Sequence, residues 1–232
     1  MAVLYLVPAP LSENTIEKVL PQYVISVIQH LKQFIVEDIR SARRYLTKLK
    51  HQLSMDDINF LVLNEHTHKN EIPSLLPFLL SGDTGLMSEA GLPCLADPGA
   101  NLVYFAHLNG IQVIPLTGPS SIFMALIASG LNGQSFAFVG YLPVKQNERR
   151  AYLRVLEKRS ATERQTQIFI ETPYRNESLL DDILKTCSSE TSLTIAADIT
   201  SAAEFIATKS IRQWKKHLPV LKKIPTVFLL QA

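Results

Sequence analysis

The sequence predicts an α/β protein built from two domains. Three observations lead there. The chain has 232 residues, beyond the roughly 100–150 of the commonest single domain. Short apolar, β-rich segments alternate with helical patterns, which implies βαβ crossovers and, in the first half, a mostly parallel sheet buried on both faces. The turn signal Gly118-Pro119 separates halves of opposite charge. The expected division is therefore residues 1–117 and 118–232, each α/β.

In the first half, strands are expected at Val3–Val7, Phe34–Val36, Phe60–Leu63, Gly85–Ser88 and Ile111–Leu116. Each is a short apolar run rich in β-branched or aromatic residues. Apolar spacing of three and four predicts helices at Thr15–His30, Ser41–Leu49, Ile72–Leu80 and Asn101–Leu108. Beyond the turn, Ser120–Ser129 reads as a helix stopped by Gly130. Strands then follow at Phe136–Val139, Gln167–Ile170, Leu193–Ala197 and Val227–Leu230, with helices at Asn147–Arg159 and Glu177–Thr186.

Composition excludes several classes. With 47% hydrophobic and 19% charged residues, the chain is neither disordered nor a coiled coil. The opening apolar run is cut by Pro8 and Pro10, and no later run reaches the roughly 18 residues of a membrane span. A soluble, cytoplasmic protein without membrane contact is expected. Cys94 and Cys187 lack any partner spacing and read as packing residues, without a disulfide or metal site.

Charge and glycine are unevenly placed. Residues 1–117 hold 8 Lys/Arg against 11 Asp/Glu, whereas residues 118–232 hold 15 against 10. The excess lies in Lys145–Arg164 and in Lys209–Lys223, where six basic residues meet no acid. Such runs are either a solvated helix face or phosphate contacts to a polyanion. All nine glycines fall between Gly82 and Gly140. Glycine serves where backbone bends through positive φ or approaches a ligand closely, so a small-molecule site is expected in this central quarter.

Two loops there have the chemistry for one. Ser88–Gly99 (SEAGLPCLADPG) follows a strand, at the end where parallel sheets bind ligands. Glu89 and Asp97 can accept hydrogen bonds from a ligand, or Asp97 can cap the next helix. Leu116–Ser121 (LTGPSS) places hydroxyls at a helix start, suited to an anion or to ordinary capping. Neither a GxxxxGK[ST] loop nor a GxGxxG after a strand is present, which disfavours nucleoside-triphosphate hydrolysis and ordinary dinucleotide binding.

Five segments in order, Leu4–Pro10, Glu37–Arg40, Ser88–Gly99, Pro115–Ser121 and Gly140–Pro143, resemble the tetrapyrrole-methylase-type (class III) S-adenosylmethionine-dependent methyltransferases. Glu171-Thr172-Pro173-Tyr174-Arg175 resembles the Glu-Ser-Pro-His-Arg segment of the branch that methylates a cytidine 2′-hydroxyl in small-subunit ribosomal RNA. Glu89 stands where that branch has Asp, and Tyr174 where it has His. The resemblance implies two α/β domains with S-adenosylmethionine in the cleft between them, and a homodimer. By position, Pro10, Ser88, Glu89 and Ala90 would border the cofactor, Ser120 and Ser121 would hold its other end, and Leu142, Glu171 and the backbone near Ala196 would add contacts from the second domain.

Transfer to a ribose hydroxyl needs near-attack geometry and a base. Glu37 and Asp38 are candidate bases, with Arg40 to position a phosphate or the carboxylates. Helix-start charge complementarity explains the same two acids equally well. His66 and His68 are a second possibility, as surface or substrate-contacting residues. Lys145, Arg149, Arg150 and Arg154 are candidate phosphate contacts to ribosomal RNA or the small ribosomal subunit. A carboxylate-bearing tetrapyrrole would tolerate the same charges, and a cofactor-binding protein without turnover is a third reading. Trp214 with Lys215 and Lys216 is either a stacking platform or core packing.

Overall fold

The computed structural model describes residues 2–232. The chain separates into two compact units, Met1–Ser120 and Ser121–Ala232. No helix among the described residues is long and apolar enough to cross a membrane.

The first unit runs β1 (Val3–Val7), α1 (Ile16–Val19), α2 (Gln22–His30), β2 (Gln33–Val36), α3 (Ile39–Lys48), β3 (Asn59–Val62), a 3-10 helix (Lys69–Leu75), α4 (Leu76–Ser81), β4 (Thr84–Met87), α5 (Gly99–Leu108) and β5 (Gln112–Pro115). Its five strands are all parallel, in the order β3-β2-β4-β1-β5. Alternate residues of each strand point to opposite faces. Val7, Phe34, Val36 and Met87 pack under α1–α3, whereas Leu4, Ile35 and Leu86 pack with Leu79, Leu102 and Ala106 of α4 and α5. Strands β2 and β4 are buried along their whole length, as a sheet covered on both faces requires.

Two expected helices are corrected by proline. The pattern over Thr15–His30 breaks into α1 and α2 because Leu20, before Pro21, is extended at φ −111°, ψ 127°, the conformation a following proline imposes. The pattern over Ile72–Leu80 begins as a 3-10 helix containing Pro73 and becomes α-helical only from Leu76.

The second unit contains α6 (Ser121–Ser129), β6 (Phe136–Tyr141), α7 (Gln146–Glu163), β7 (Thr166–Ile170), α8 (Asn176–Thr186), β8 (Ser192–Ala197), β9 (Phe205–Ser210), α9 (Ile211–Trp214) and β10 (Thr226–Gln231). Its sheet, β6-β7-β10-β8-β9, is parallel only between β6 and β7. Strand β9 was not legible in the sequence. It lies at the sheet edge and is only partly covered, so its residues lack a strong apolar alternation.

Burial reassigns several residues. Arg149 is 3% exposed and is not a phosphate contact. Its Nε donates to Asp182 Oδ2 at 2.7 Å, and its other nitrogens donate to Ser178 Oγ and the Val144 carbonyl. Arg150 Nε donates to Asp182 Oδ1 at 2.6 Å. Burial works to raise the Asp182 carboxyl, but the two guanidinium groups outweigh it and hold it below its ordinary value. Trp214 is 1% exposed, and its indole N–H donates to the Leu193 carbonyl at 2.8 Å. It is a core residue rather than a stacking platform. Cys187 is likewise buried in this core.

Removing one member of a buried ion pair leaves the other charge uncompensated. Asp182→Ala is therefore expected to lower unfolding stability by about 3–5 kcal/mol, measured by urea denaturation. A loss under about 1 kcal/mol, the range of exposed pairs, would contradict this account.

Candidate active site

The topology of the first unit opens a crevice at one edge of the sheet. The path β1 to β2 to β3 winds one way under α1–α3, and the path β3 to β4 to β5 returns over α4 and α5. Strand β4 lies between β1 and β2, and its outgoing chain leaves on the opposite face from theirs. At such switch points the loops at the carboxyl ends part and leave room for a ligand.

Backbone contacts hold these loops at fixed spacing. Ala9 and Gly91 exchange hydrogen bonds of 2.8 and 3.0 Å, joining the loop after β1 to that after β4. Gly91 has φ +74°, a conformation that glycine adopts without a Cβ clash. The Tyr45 hydroxyl donates to the Pro8 carbonyl at 2.7 Å. A Cβ on Gly118 would lie 2.1 Å from Pro8 Cβ, so only glycine allows the loop after β5 to sit against the loop after β1.

The loop Ser88–Gly99 also contains two non-glycine residues in the left-handed region, Cys94 at φ 72° and Ala96 at φ 64°. Such residues persist only where surrounding bonds over-determine them. Asp97 supplies those bonds. Its Oδ2 accepts from Cys94 N at 2.8 Å and its Oδ1 from Gly99 N at 2.7 Å. Both oxygens thus serve the loop and the start of α5, the capping alternative for Asp97.

The two adjacent acids after β2 have different surroundings. Glu37 is half-buried, and its Oε1 accepts from Glu89 N at 3.2 Å. Burial, followed by the nearby carboxylates of Asp97, Glu89 and Glu65, raises its pKa. Asp38 is exposed and caps α3, with Oδ1 accepting from Ser41 N at 2.7 Å. That bond holds its carboxyl below the ordinary value, with a further contribution from Arg40. Arg40 is exposed in the first turn of α3.

The remaining expected contacts of this unit gather on the same rim. Ser88 is buried at the end of β4, its Oγ donating to the Ala90 carbonyl at 3.3 Å. Glu89 and Ala90 are exposed, and with Pro10 they line a groove of about 310 Å³. Arg44, Tyr45 and Lys48 line it from α3. These three were not singled out in the sequence, although spacings of one turn place Arg44 and Lys48 on one helix face. Ser120 is buried at the end of the first unit, and Ser121 opens α6. His66 and His68 sit on the surface after β3, with His66 Nε2 3.7 Å from Glu65 Oε1.

Within the second unit, Leu142 is buried just after β6. Glu171 follows β7, and its Oε1 accepts from Thr172 N at 2.7 Å and from Arg175 at 2.6 Å. Its Oε2 is buried without a partner among the described residues. Ala196 is fully buried in β8, paired with Val227 on one side and Ile206 on the other. Its side chain has no accessible surface, and its backbone belongs to the sheet.

Asp38 acts on this geometry as a helix cap. Asn caps as well as Asp, so Asp38→Asn is expected to keep the wild-type unfolding temperature, whereas Asp38→Ala lowers it, as read by thermal circular dichroism. Equal melting of both variants would remove the capping role. Because its folded-state pKa is depressed, the Asp38 contribution is present above the ordinary carboxylate range and fades as pH falls through the lowered value.

No family model matches the chain. It is 34% identical over 205 residues to the ribosomal RNA small subunit methyltransferase I of Vibrio cholerae, covering 88% of this chain and 67% of that protein. The protein of the same name from Halalkalibacterium halodurans is 36% identical over 184 residues, covering 78% and 59%. That of Streptococcus pyogenes serotype M6 is 32% identical over 217 residues, covering 93% and 71%. Among solved structures, the methyltransferase CobJ matches all of this chain and 94% of its own, with a TM-score of 0.65 at 13% identity, a likeness of fold. Identities above 30% over two thirds or more of the Vibrio and Streptococcus proteins place the chain in the ribosomal RNA small subunit methyltransferase I family.

Proposed function

We propose that this methyltransferase uses S-adenosylmethionine to methylate a ribose 2′-hydroxyl of small-subunit ribosomal RNA, and that the carboxyl-end rim of the first unit carries the chemistry. Family membership supports the acceptor class, and Glu37 carries the reading of mechanism. It is a half-buried carboxylate with a raised pKa, beside the loop pair joined by Ala9 and Gly91.

The donor set fits the cofactor. S-adenosylmethionine supplies, when bound, an electrophilic methyl group on a cationic sulfonium. Glu89 on the rim favours a cation and can accept from ribose hydroxyls or an amino group. Pro10 and Ala90 border the groove with Glu89; Ser88 and Glu37 line a small pocket that shares Ala9, Tyr45 and Glu89 with it, and Gly91 permits close backbone approach. Ser120, Ser121 and Leu142 are proposed as further contacts. Glu171 has a buried oxygen lacking a partner among the described residues, suited to a ligand donor or an ordered water. Any contact near Ala196 would come from backbone beside it, since its side chain is wholly buried.

Glu37 Oε1 is held by the Glu89 N–H, so Oε2 takes the proton of the 2′-hydroxyl as the oxygen attacks. A raised pKa makes this carboxylate a stronger base. Arg40, exposed one turn from it, is placed to meet a phosphate. Asp38 supports α3 and takes no proton. The enzyme acts in the cytoplasm as a homodimer; the exposed Phe123 and Ile127 of α6 support a protein interface, since apolar patches of this kind mark contact surfaces.

The test is calorimetric titration with S-adenosylmethionine, then transfer of labelled methyl to purified small ribosomal subunits. Glu37→Gln is expected to bind cofactor within about threefold of wild type while losing about 10²–10⁴ in transfer rate. Wild-type rate should fall as pH drops through the raised Glu37 value, because only the ionised form accepts the proton. Undiminished transfer by Glu37→Gln would remove the base. Binding without labelling would move the acceptor to another molecule, or the protein to a non-catalytic binder.

A further inference from the structure

The second unit presents an aromatic ring to solvent beside unpaired positive charge. Tyr174 lies between β7 and α8 and is 79% exposed. Lys223 Nζ stands 5.8 Å from the centre of its ring. Two hydrogen bonds tie the segments together: Lys223 N donates to the Pro173 carbonyl at 3.1 Å, and Asn176 Nδ2 to the Ile224 carbonyl at 2.7 Å. On the other side of the ring's attachment, Arg175 is anchored by Glu171 at 2.6 Å. The ring therefore projects from a braced loop.

Several exposed cations of this unit are ion-paired, as in Lys185–Asp181, Arg159–Glu163 and Arg212–Glu190. Lys215, Lys216, Lys222 and Lys223 are exposed, and none has a carboxylate within ion-pair distance among the described residues. A single exposed tyrosine requires no explanation. An exposed ring with an ammonium over it, flanked by lysines that lack acids, matches the components by which proteins hold single-stranded nucleic acid: a π-face for a base and cations for the phosphates.

We propose that Tyr174, with Lys222 and Lys223, forms a stacking platform for an unpaired base of a single-stranded RNA segment. The inference rests on the ribosomal RNA reading and extends it to a binding surface. It also transfers to Tyr174 the stacking role that the sequence left open for Trp214, whose ring is buried in the core.

The test is fluorescence anisotropy of the full chain with a fluorescein-labelled single-stranded oligoribonucleotide at fixed salt. Base–aromatic stacking predicts that Tyr174→Ala and Tyr174→Leu weaken binding by about 5- to 100-fold. Tyr174→Phe keeps the π-face and should stay within about twofold. The double variant Lys222→Ala/Lys223→Ala should flatten the slope of log affinity against log salt by about 1.4, from ~0.7 per charge on single strands. All these positions are exposed, so unfolding temperatures should match wild type. Calorimetry of each variant with S-adenosylmethionine isolates the platform from the cofactor site. Wild-type binding that survives Tyr174→Leu overturns the platform alone. Failure of wild type to bind RNA, with cofactor binding intact, overturns both the platform and the RNA acceptor.

Discussion

The first unit depends on the parallel register of β1 between β4 and β5. Because all five strands run the same way, their carboxyl ends share one edge, and every loop leaving that edge faces its neighbours. The reversal of winding around β4 parts those loops, and the Ala9–Gly91 bridge sets their spacing. Gly118 adds a steric condition, since any side chain there would collide with Pro8. Strand direction, one backbone bridge and one missing Cβ thus place Pro10, Glu37, Ser88, Glu89 and Ala90 along one rim.

The rim also shows how surroundings divide labour between identical functional groups. Glu37 and Asp38 are neighbours in sequence and both carboxylates. Burial and nearby negative charge raise one, and a helix N-terminus lowers the other. Asp97 takes a third role, holding a loop with two residues in the left-handed region. Of the three, Asp97 has both oxygens engaged by its own loop.

In the second unit the basic residues divide in a similar way. Asp182 draws Arg149 and Arg150 inward, and the buried pair joins α7 to α8. The lysines after α9 find no such acid and remain in solvent. A count of basic residues merges these two populations, though one holds helices together and the other creates positive surface potential.

Most strands and helices were legible because alternation and apolar spacing are local properties. Strand β9 and the breaks at Pro21 and within the 3-10 helix were less so, since edge position and proline geometry weaken the periodic signal. The ordered motifs from Leu4 to Arg175 pointed to the family, and glycine placement to the loops of the candidate site. What the sequence determined by itself is therefore the α/β class and the family, and it marked the loops of the candidate site, all of which rest on residues near one another in the chain. Tertiary structure alone decided the strand order, the separation of Glu37 from Asp38, the inward turn of Arg149 toward an acid 33 residues away, and the exchange of Trp214 for Tyr174 at the surface. Each depends on desolvation or on a partner distant in sequence, and these come into being only when the chain packs.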